Sequence, residues 1–296
     1  MLSILIPTFN YNVSSLASVL VKEAQNMGLV YELICIDDGS NSEMNKVNES
    51  INNLDNCRFI AHTNNIGRTA LRQLLAEKAQ YQWVLFLDAD VLPVAHNFLN
   101  KMVSNCNQDT SLVYGGISYQ NERPQDDKLL RWKYGRKREQ KSVKNRKKNP
   151  YLSIISGAFC IKKELFLMIN QNLLMPKYGL DILFSNQLLH LKVKVSHIDN
   201  PVFHLGLENS RDYLNKSKEA LHTLHDLVSQ NAITYKATPL LRLHNKLLKL
   251  RILKPVVFLT TKCNALIETN LLSKSPNLLL FDLYRLGYFS NIKKKA

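Results

Sequence analysis

Trp83-Val84-Leu85-Phe86-Leu87-Asp88-Ala89-Asp90 is an apolar run that ends on two carboxylates one residue apart. Five consecutive apolar residues bounded by a polar turn read as a strand buried on both faces, the kind found in parallel sheets. Where such a strand opens into a loop, Asp88 and Asp90 can share one hard divalent cation. Oxygen ligands suit magnesium or manganese, and such sites often hold a metal that also grips substrate phosphates. The plainer alternative is a pair of solvated turn residues.

Moving outward, the chain alternates strand and helix patterns. Residues 2–6 read as a short buried strand. Ser14 can cap a helix with apolar positions Leu16, Val19, Leu20, Ala24 and Met27. A second strand at 31–36 runs into Asp37-Asp38-Gly39-Ser40, and a third lies near 58–61. A helix over about 66–80 then places Ala70, Leu71, Leu74, Leu75 and Ala79 on one face before the strand Trp83–Leu87. This alternation predicts βαβ units, a mostly parallel central sheet and flanking helices. Ligands in such sheets bind beyond the carboxyl ends of the strands. Pro7-Thr8-Phe9-Asn10, Asp37-Asp38-Gly39-Ser40 and Asp88-Ala89-Asp90 all fall there, so they are expected to face one crevice.

The first turn lacks glycine, which excludes both the dinucleotide fingerprint and the P-loop. A carboxylate after strand two can instead bond a ribose or base edge, and a metal pair after strand four can hold a diphosphate. Asn64-Asn65-Ile66-Gly67-Arg68 opens the third helix, where backbone donors and Arg68 can meet negative charge.

The order Ile-Pro-Thr-Phe-Asn, Ile-Asp-Asp-Gly-Ser, Asn-Asn-Ile-Gly-Arg and Leu-Phe-Leu-Asp-Ala-Asp resembles the family 2 glycosyltransferases of GT-A fold, bacterial type, over about residues 1–205. The resemblance implies a Rossmann-like α/β domain and a nucleotide-diphosphate sugar donor, a UDP-sugar foremost. It also implies Mn2+ or Mg2+ and inversion at the anomeric carbon, as in polysaccharide and cell-envelope biosynthesis. By position, Thr8 and Asp37 or Asp38 would contact the nucleoside, and Arg68 would lie near the base or diphosphate. Asp88 would face the ribose or sugar, or share the metal, for which Asp90 is the firmer ligand. Ile155-Ser156-Gly157-Ala158-Phe159-Cys160-Ile161 resembles the small-residue segment under the donor sugar. The family's Gly-x-Glu-Asp appears here as Gly179-Leu180-Asp181. Asp181 would be the general base, with Leu180 where a glutamate is common; otherwise it caps the helix at 181–191. His204 would be a third metal ligand or diphosphate contact, whereas His197, inside a strand at 193–198, reads as a packing residue.

Charge divides the chain further. The net charge is +15, yet residues 128–148 hold eleven Lys or Arg and one acid, Glu139, and residues 237–296 hold eleven against Glu268 and Asp282. The expected organisation is a transferase domain over 1–230 and a basic helical region over 231–296. The first basic block reads either as a mobile solvated loop or as a border of the acceptor groove, with Trp132 and Tyr134 stacking on a sugar or packing in the core. In the tail, leucines interleave with Arg242, Lys246, Lys249, Arg251 and Lys254. That pattern suits a helix lying on an anionic membrane, or one packed on its own domain. The acceptor is then a saccharide or a lipid-linked saccharide.

No signal peptide or spanning segment is read, and five scattered cysteines fit neither a disulfide framework nor a zinc site. A cytoplasmic setting follows, with peripheral attachment to the inner face of the cell membrane. Three other readings compete. A nucleic-acid binder would use the basic blocks but leave the acidic crevice unexplained, so no nucleic-acid partner is expected. A sugar nucleotidyltransferase would need a glycine-rich first loop. A donor-binding relative that lost catalysis is the third.

Overall fold

The computed structural model describes residues 1–152, 154–173 and 177–292, so residues 293–296 of the basic tail lie outside it. The chain forms two compact units. The first comprises 1–120, 139–176 and 187–206, and the second 121–138, 177–186 and 207–296.

The first unit is built on β1 (Leu2–Thr8), β2 (Tyr31–Asp37), β3 (Cys57–Ala61) and β4 (Trp83–Leu87), followed by β5 (Val91–Pro93), β6 (Leu112–Tyr114) and β7 (Ile117–Ser118). β8 (Ala158–Lys162), β9 (Val195–His197) and β10 (Val202–His204) complete it. Among the described residues seven strands form one sheet in the order β3-β2-β1-β4-β8-β6-β9. β1 pairs in parallel with β2 and β4, and β2 with β3. Every residue of β1 and β2 is buried, as expected of strands covered on both faces. The helix Ser14–Asn26 turns Leu16, Ala17, Leu20, Val21 and Ala24 inward. The helix Arg68–Lys78 buries Leu71, Arg72, Leu75 and Ala76.

Beyond β4 the sheet changes sense. β8 runs antiparallel to both β4 and β6, and β9 parallel to β6. Sequence periodicity does not reveal this, because the β4–β8 pairing joins segments some 70 residues apart. A second sheet, β5-β10-β7, pairs β10 antiparallel to β5 with His204 opposite Val91. The turn Asp88-Ala89-Asp90 therefore leaves one sheet and enters the other.

The second unit is helical. Its core joins Leu130, Leu214, Ile267, Leu271, Phe281 and Tyr284. Leu214 belongs to the helix Ser210–Ser229, which packs on the tail within this unit. Tyr134 packs on Tyr213 and Phe281, placing it in this core. The first basic block is likewise partly folded in. Arg146 is 2% exposed, donates to the Ile198 carbonyl at 2.6 Å and lies over the Tyr114 ring. No helix among the described residues is long and apolar enough to cross a membrane.

Two glycines with left-handed backbone separate strain from crowding. Gly28 has φ +61° with open space around it, whereas a Cβ on Gly39 (φ +71°) would lie 2.6 Å from the Asn64 carbonyl carbon. Gly28→Ala is expected to cost about 1 kcal/mol and Gly39→Ala about 3 kcal/mol, the excess coming from forced separation of two loops. Urea denaturation of both variants measures this, and equal losses would show that the loops part freely.

Candidate active site

Asp88 follows β4 directly, and its N–H donates to the Gly157 carbonyl at 2.8 Å. Its side chain is gripped from two sides. Arg68 Nη2 donates to Oδ2 at 2.7 Å and Arg72 Nη2 to Oδ1 at 2.5 Å. The two arginines stand four residues apart on one helix, hence on one face. They also reach the 155–157 segment: Arg68 donates to Ser156 Oγ and Arg72 to the Ser156 carbonyl, each at 2.8 Å. Arg72 is buried, with its guanidinium over Phe86 and Phe159. Burial pushes the Asp88 carboxyl up, but Arg68, Arg72 and His204 outweigh it and hold the group below its ordinary value.

Asp90 sits in a different environment. Its Oδ2 lies 3.4 Å from His204 Nε2, and its carbonyl accepts from Leu205 N at 2.8 Å. A Cβ at position 206 would lie 2.0 Å from Oδ2, so glycine is required for this approach. Burial raises the Asp90 carboxyl above its usual value; His204 opposes this and the charge of Asp88 adds to it. The His204 ring packs 5.6 Å from that of Tyr119, whose hydroxyl donates to Glu139. Tyr11 also feels Asp90: burial first, then that charge, raises its phenol.

The remaining donor-side residues build the walls. Asp37, 1% exposed, accepts from Ser40 N at 2.9 Å, Ser40 Oγ at 2.6 Å and Asn45 Nδ2 at 3.0 Å. Asp38 accepts from Ile66 N at 2.8 Å and Gly67 N at 3.0 Å, fixing the entry to the helix Arg68–Lys78. Thr8 Oγ1 donates to the Tyr11 carbonyl, and its own carbonyl accepts from Asp38 N. The expected role of Asp37 and Asp38 as nucleoside contacts thus meets a different observation: their carboxylates tie loops together. Asp181 belongs to the second unit, where it heads the helix Asp181–His190 and is exposed. Leu180, in the position where the family often has glutamate, is a buried residue. His197 is buried against Tyr114 and bonded to the Pro150 carbonyl.

The donor set decides how a cation would fit. Two neighbouring ligands on one divalent cation, each about 2.1 Å from it, stand about 3 Å apart. Asp90 Oδ2 and His204 Nε2 meet that spacing. Asp88 does not fit, because each of its oxygens accepts from a guanidinium and a cation there would face two positive charges. Among the described residues no three acidic, His or Cys side chains converge as a ready metal site. The two aspartates expected to share a metal thus differ in their contacts: Asp88 anchors arginines and Asp90 faces His204. Arg72 was missed in the sequence. Its signal was the i,i+4 spacing from Arg68 inside an apolar face.

A family model described as Glycosyl transferase family 2 matches residues 3–167. No curated protein matches the chain by sequence. Among solved structures, mannosyl-3-phosphoglycerate synthase from Rubrobacter xylanophilus aligns with a TM-score of 0.53 at 13% identity, covering 79% of this chain and 76% of that one. S. aureus TarS 1-349 aligns at 0.50 and 16% identity, covering 77% and 72%. Mannosyltransferase PcManGT from Pyrobaculum calidifontis, solved with GDP-Man and Mn2+, aligns at 0.50 and 13%, covering 77% and 64%. At such identities the likeness is one of fold.

The clamp is asymmetric, since the Arg68 side chain is 45% exposed and that of Arg72 8%. Arg72→Met, which keeps apolar bulk but strips Asp88 of its buried partner, is expected to cost about 3 kcal/mol. Arg68→Met should cost about 1 kcal/mol or less, its charge being screened by solvent. Chemical denaturation resolves the two, and a larger loss for Arg68→Met would contradict the assignment.

Proposed function

The chain belongs to glycosyl transferase family 2, and on that premise we propose that it moves a sugar from a nucleoside-diphosphate donor to a hydroxyl of a saccharide or lipid-linked saccharide. The observation that carries this reading is the charge arrangement around Asp88. The positive charges of Arg68 and Arg72 are cancelled by Asp88 and Asp90, so one divalent cation added at Asp90 would leave the site doubly positive. That is the complement of a diphosphate. The fold neighbour PcManGT, solved with GDP-Man and Mn2+, supports the same class of donor.

In this reading Asp90 and His204 would hold a divalent cation, which would supply positive charge against that gathering on the leaving diphosphate. Arg68, braced by Asp88 and Ser156, turns its exposed face to the diphosphate oxygens. Arg72 positions Asp88 and touches no substrate. The loops tied by Thr8, Asp37 and Asp38 line the nucleoside, and Phe9, half exposed between them, offers a ring for the base to stack on. Asp181 takes the acceptor proton. Attack from the face opposite the leaving group makes the transfer a single displacement with inversion.

Titration calorimetry with UDP and GDP, each with and without Mn2+, tests the donor site. Asp90→Asn is expected to remove the metal-dependent part of binding, and His204→Ala to weaken it. The cation needs ionised Asp90, whose carboxyl is raised by burial. Metal-dependent affinity should therefore fall as pH drops, starting at a higher pH than for an exposed aspartate. A metal effect that survives Asp90→Asn would place the cation elsewhere.

Asp181→Asn is expected to lower turnover by about a thousandfold while leaving donor affinity within about twofold. Steady-state kinetics beside calorimetry separates the two effects. Near-normal turnover in this variant removes Asp181 from the role of base.

A further inference from the structure

The helical unit carries a surface that transfer chemistry does not use. Between residues 236 and 262 the chain has seven Lys or Arg and no Asp or Glu. Four of these cations, Lys236, Arg242, Lys246 and Lys249, line one open cavity of about 410 Å³ with Tyr235 and Asn245, and Leu250 stands at its apolar side. Arg242, Lys246 and Lys249 follow one another at i, i+4 and i+7 along the helix Pro239–Lys249, which places them on one stripe. Arg242 Nη1 donates to the Lys236 carbonyl at 2.8 Å, closing one side of the cavity.

The opposite face of this helix is already seated. Leu241 is fully buried, and the His244 ring contacts those of Tyr235 and Phe289. The helix thus has its intramolecular packing and still leaves Leu243, Leu248 and Leu250 exposed, followed by Ile252 in the turn. The next helix, Leu253–Lys262, continues the series with Phe258 at 65% and Leu259 at 63% exposure. Single exposed leucines need no explanation, but a succession of six large apolar side chains within 17 residues, interleaved with cations, does.

We propose that this surface docks on an anionic lipid bilayer. Headgroup phosphates enter the cavity lined by Lys236, Arg242, Lys246 and Lys249. The corner at Leu248, Leu250 and Ile252, with Phe258 and Leu259, enters the boundary between headgroups and acyl chains. The pairing of features selects this occupant. A nucleic acid would match the cations but leave Phe258 and Leu259 in water. A bilayer with anionic lipids satisfies both, which is how a basic amphipathic helix binds an interface without crossing it. The inference uses no residue of the donor site, so its failure would leave the transferase reading standing, and the reverse holds too.

Vesicle co-sedimentation of the full chain tests it, using phosphatidylcholine vesicles with and without phosphatidylglycerol. The protein is expected to pellet only with the phosphatidylglycerol-containing vesicles. The triple variant Arg242→Gln, Lys246→Gln, Lys249→Gln should lose roughly a hundredfold in affinity and most of its salt dependence. The double variant Phe258→Ser, Leu259→Ser should lose at least about tenfold while keeping its salt dependence. Circular dichroism guards against misfolding, and the charge-conserving variant Arg242→Lys should bind as the parent does. Equal pelleting with neutral vesicles, anionic binding untouched by both sets of substitutions, or tighter binding to duplex DNA than to anionic vesicles would each overturn the proposal.

Discussion

A carboxylate held between two guanidiniums organises the first unit. Asp88 receives Arg68 and Arg72 from one helix, while those arginines reach Ser156 and its own N–H reaches Gly157. Three segments far apart in sequence, at 68–72, 88 and 156–157, meet at this one side chain. Its ionisation is secured because the guanidiniums outweigh the cost of burial. An Asp without them would be a buried charge in need of a proton. With them it becomes a rigid post, and the loop to Asp90 departs from a fixed point.

Asp90 depends on that post and on the second sheet. The antiparallel register of β5 and β10 sets His204 opposite Val91, one residue from Asp90, and Gly206 allows the chain to close over the carboxylate. The two aspartates are chemically alike, yet the fold drives their carboxyls in opposite directions, down at Asp88 and up at Asp90. Opposite shifts in neighbouring acids mark a division of roles. One acid is saturated by guanidinium donors, and the other faces the His204 imidazole.

The sequence made legible whatever depends on local pattern. Burial on both faces goes with the largely apolar runs of β1, β2 and β4, broken inside β1 and β2 by Ser3 and Glu32, which bond each other, and turn residues marked where each strand ended. The three polar clusters at those ends follow from the same rule. Long-range pairing was not legible. Nothing in residues 158–162 says that this strand runs antiparallel to β4, and the i,i+4 spacing of Arg68 and Arg72 does not by itself name the carboxylate they share. Asp37 and Asp38 show a subtler limit. A carboxylate after a strand is attractive as a ligand, but the turn it occupies also presents backbone N–H groups that need acceptors, and here those groups claim it. The basic block at 128–148 failed as a unit because composition ignores direction: Arg146 points inward onto Tyr114 while its neighbours face solvent.

That last distinction bears on how a chain of net charge +15 should be understood. Cations in this protein divide by what neutralises them. Arg72 has Asp88, Arg138 has Asp282 and Lys177 has Asp226, each as a close ion pair. Arg146 gives up solvation for a carbonyl and an aromatic face, and burial lowers its affinity for the proton. Such charges are compensated by groups of the protein itself. Between 236 and 262 no acid is present to perform that neutralisation, and the cations share their surface with leucine and phenylalanine. Uncompensated charge beside unburied apolar area is costly for an isolated protein, through self-repulsion and exposed hydrocarbon alike. An anionic, partly apolar surface removes both costs at once, so the sequence of this region is best understood with that surface as part of its environment.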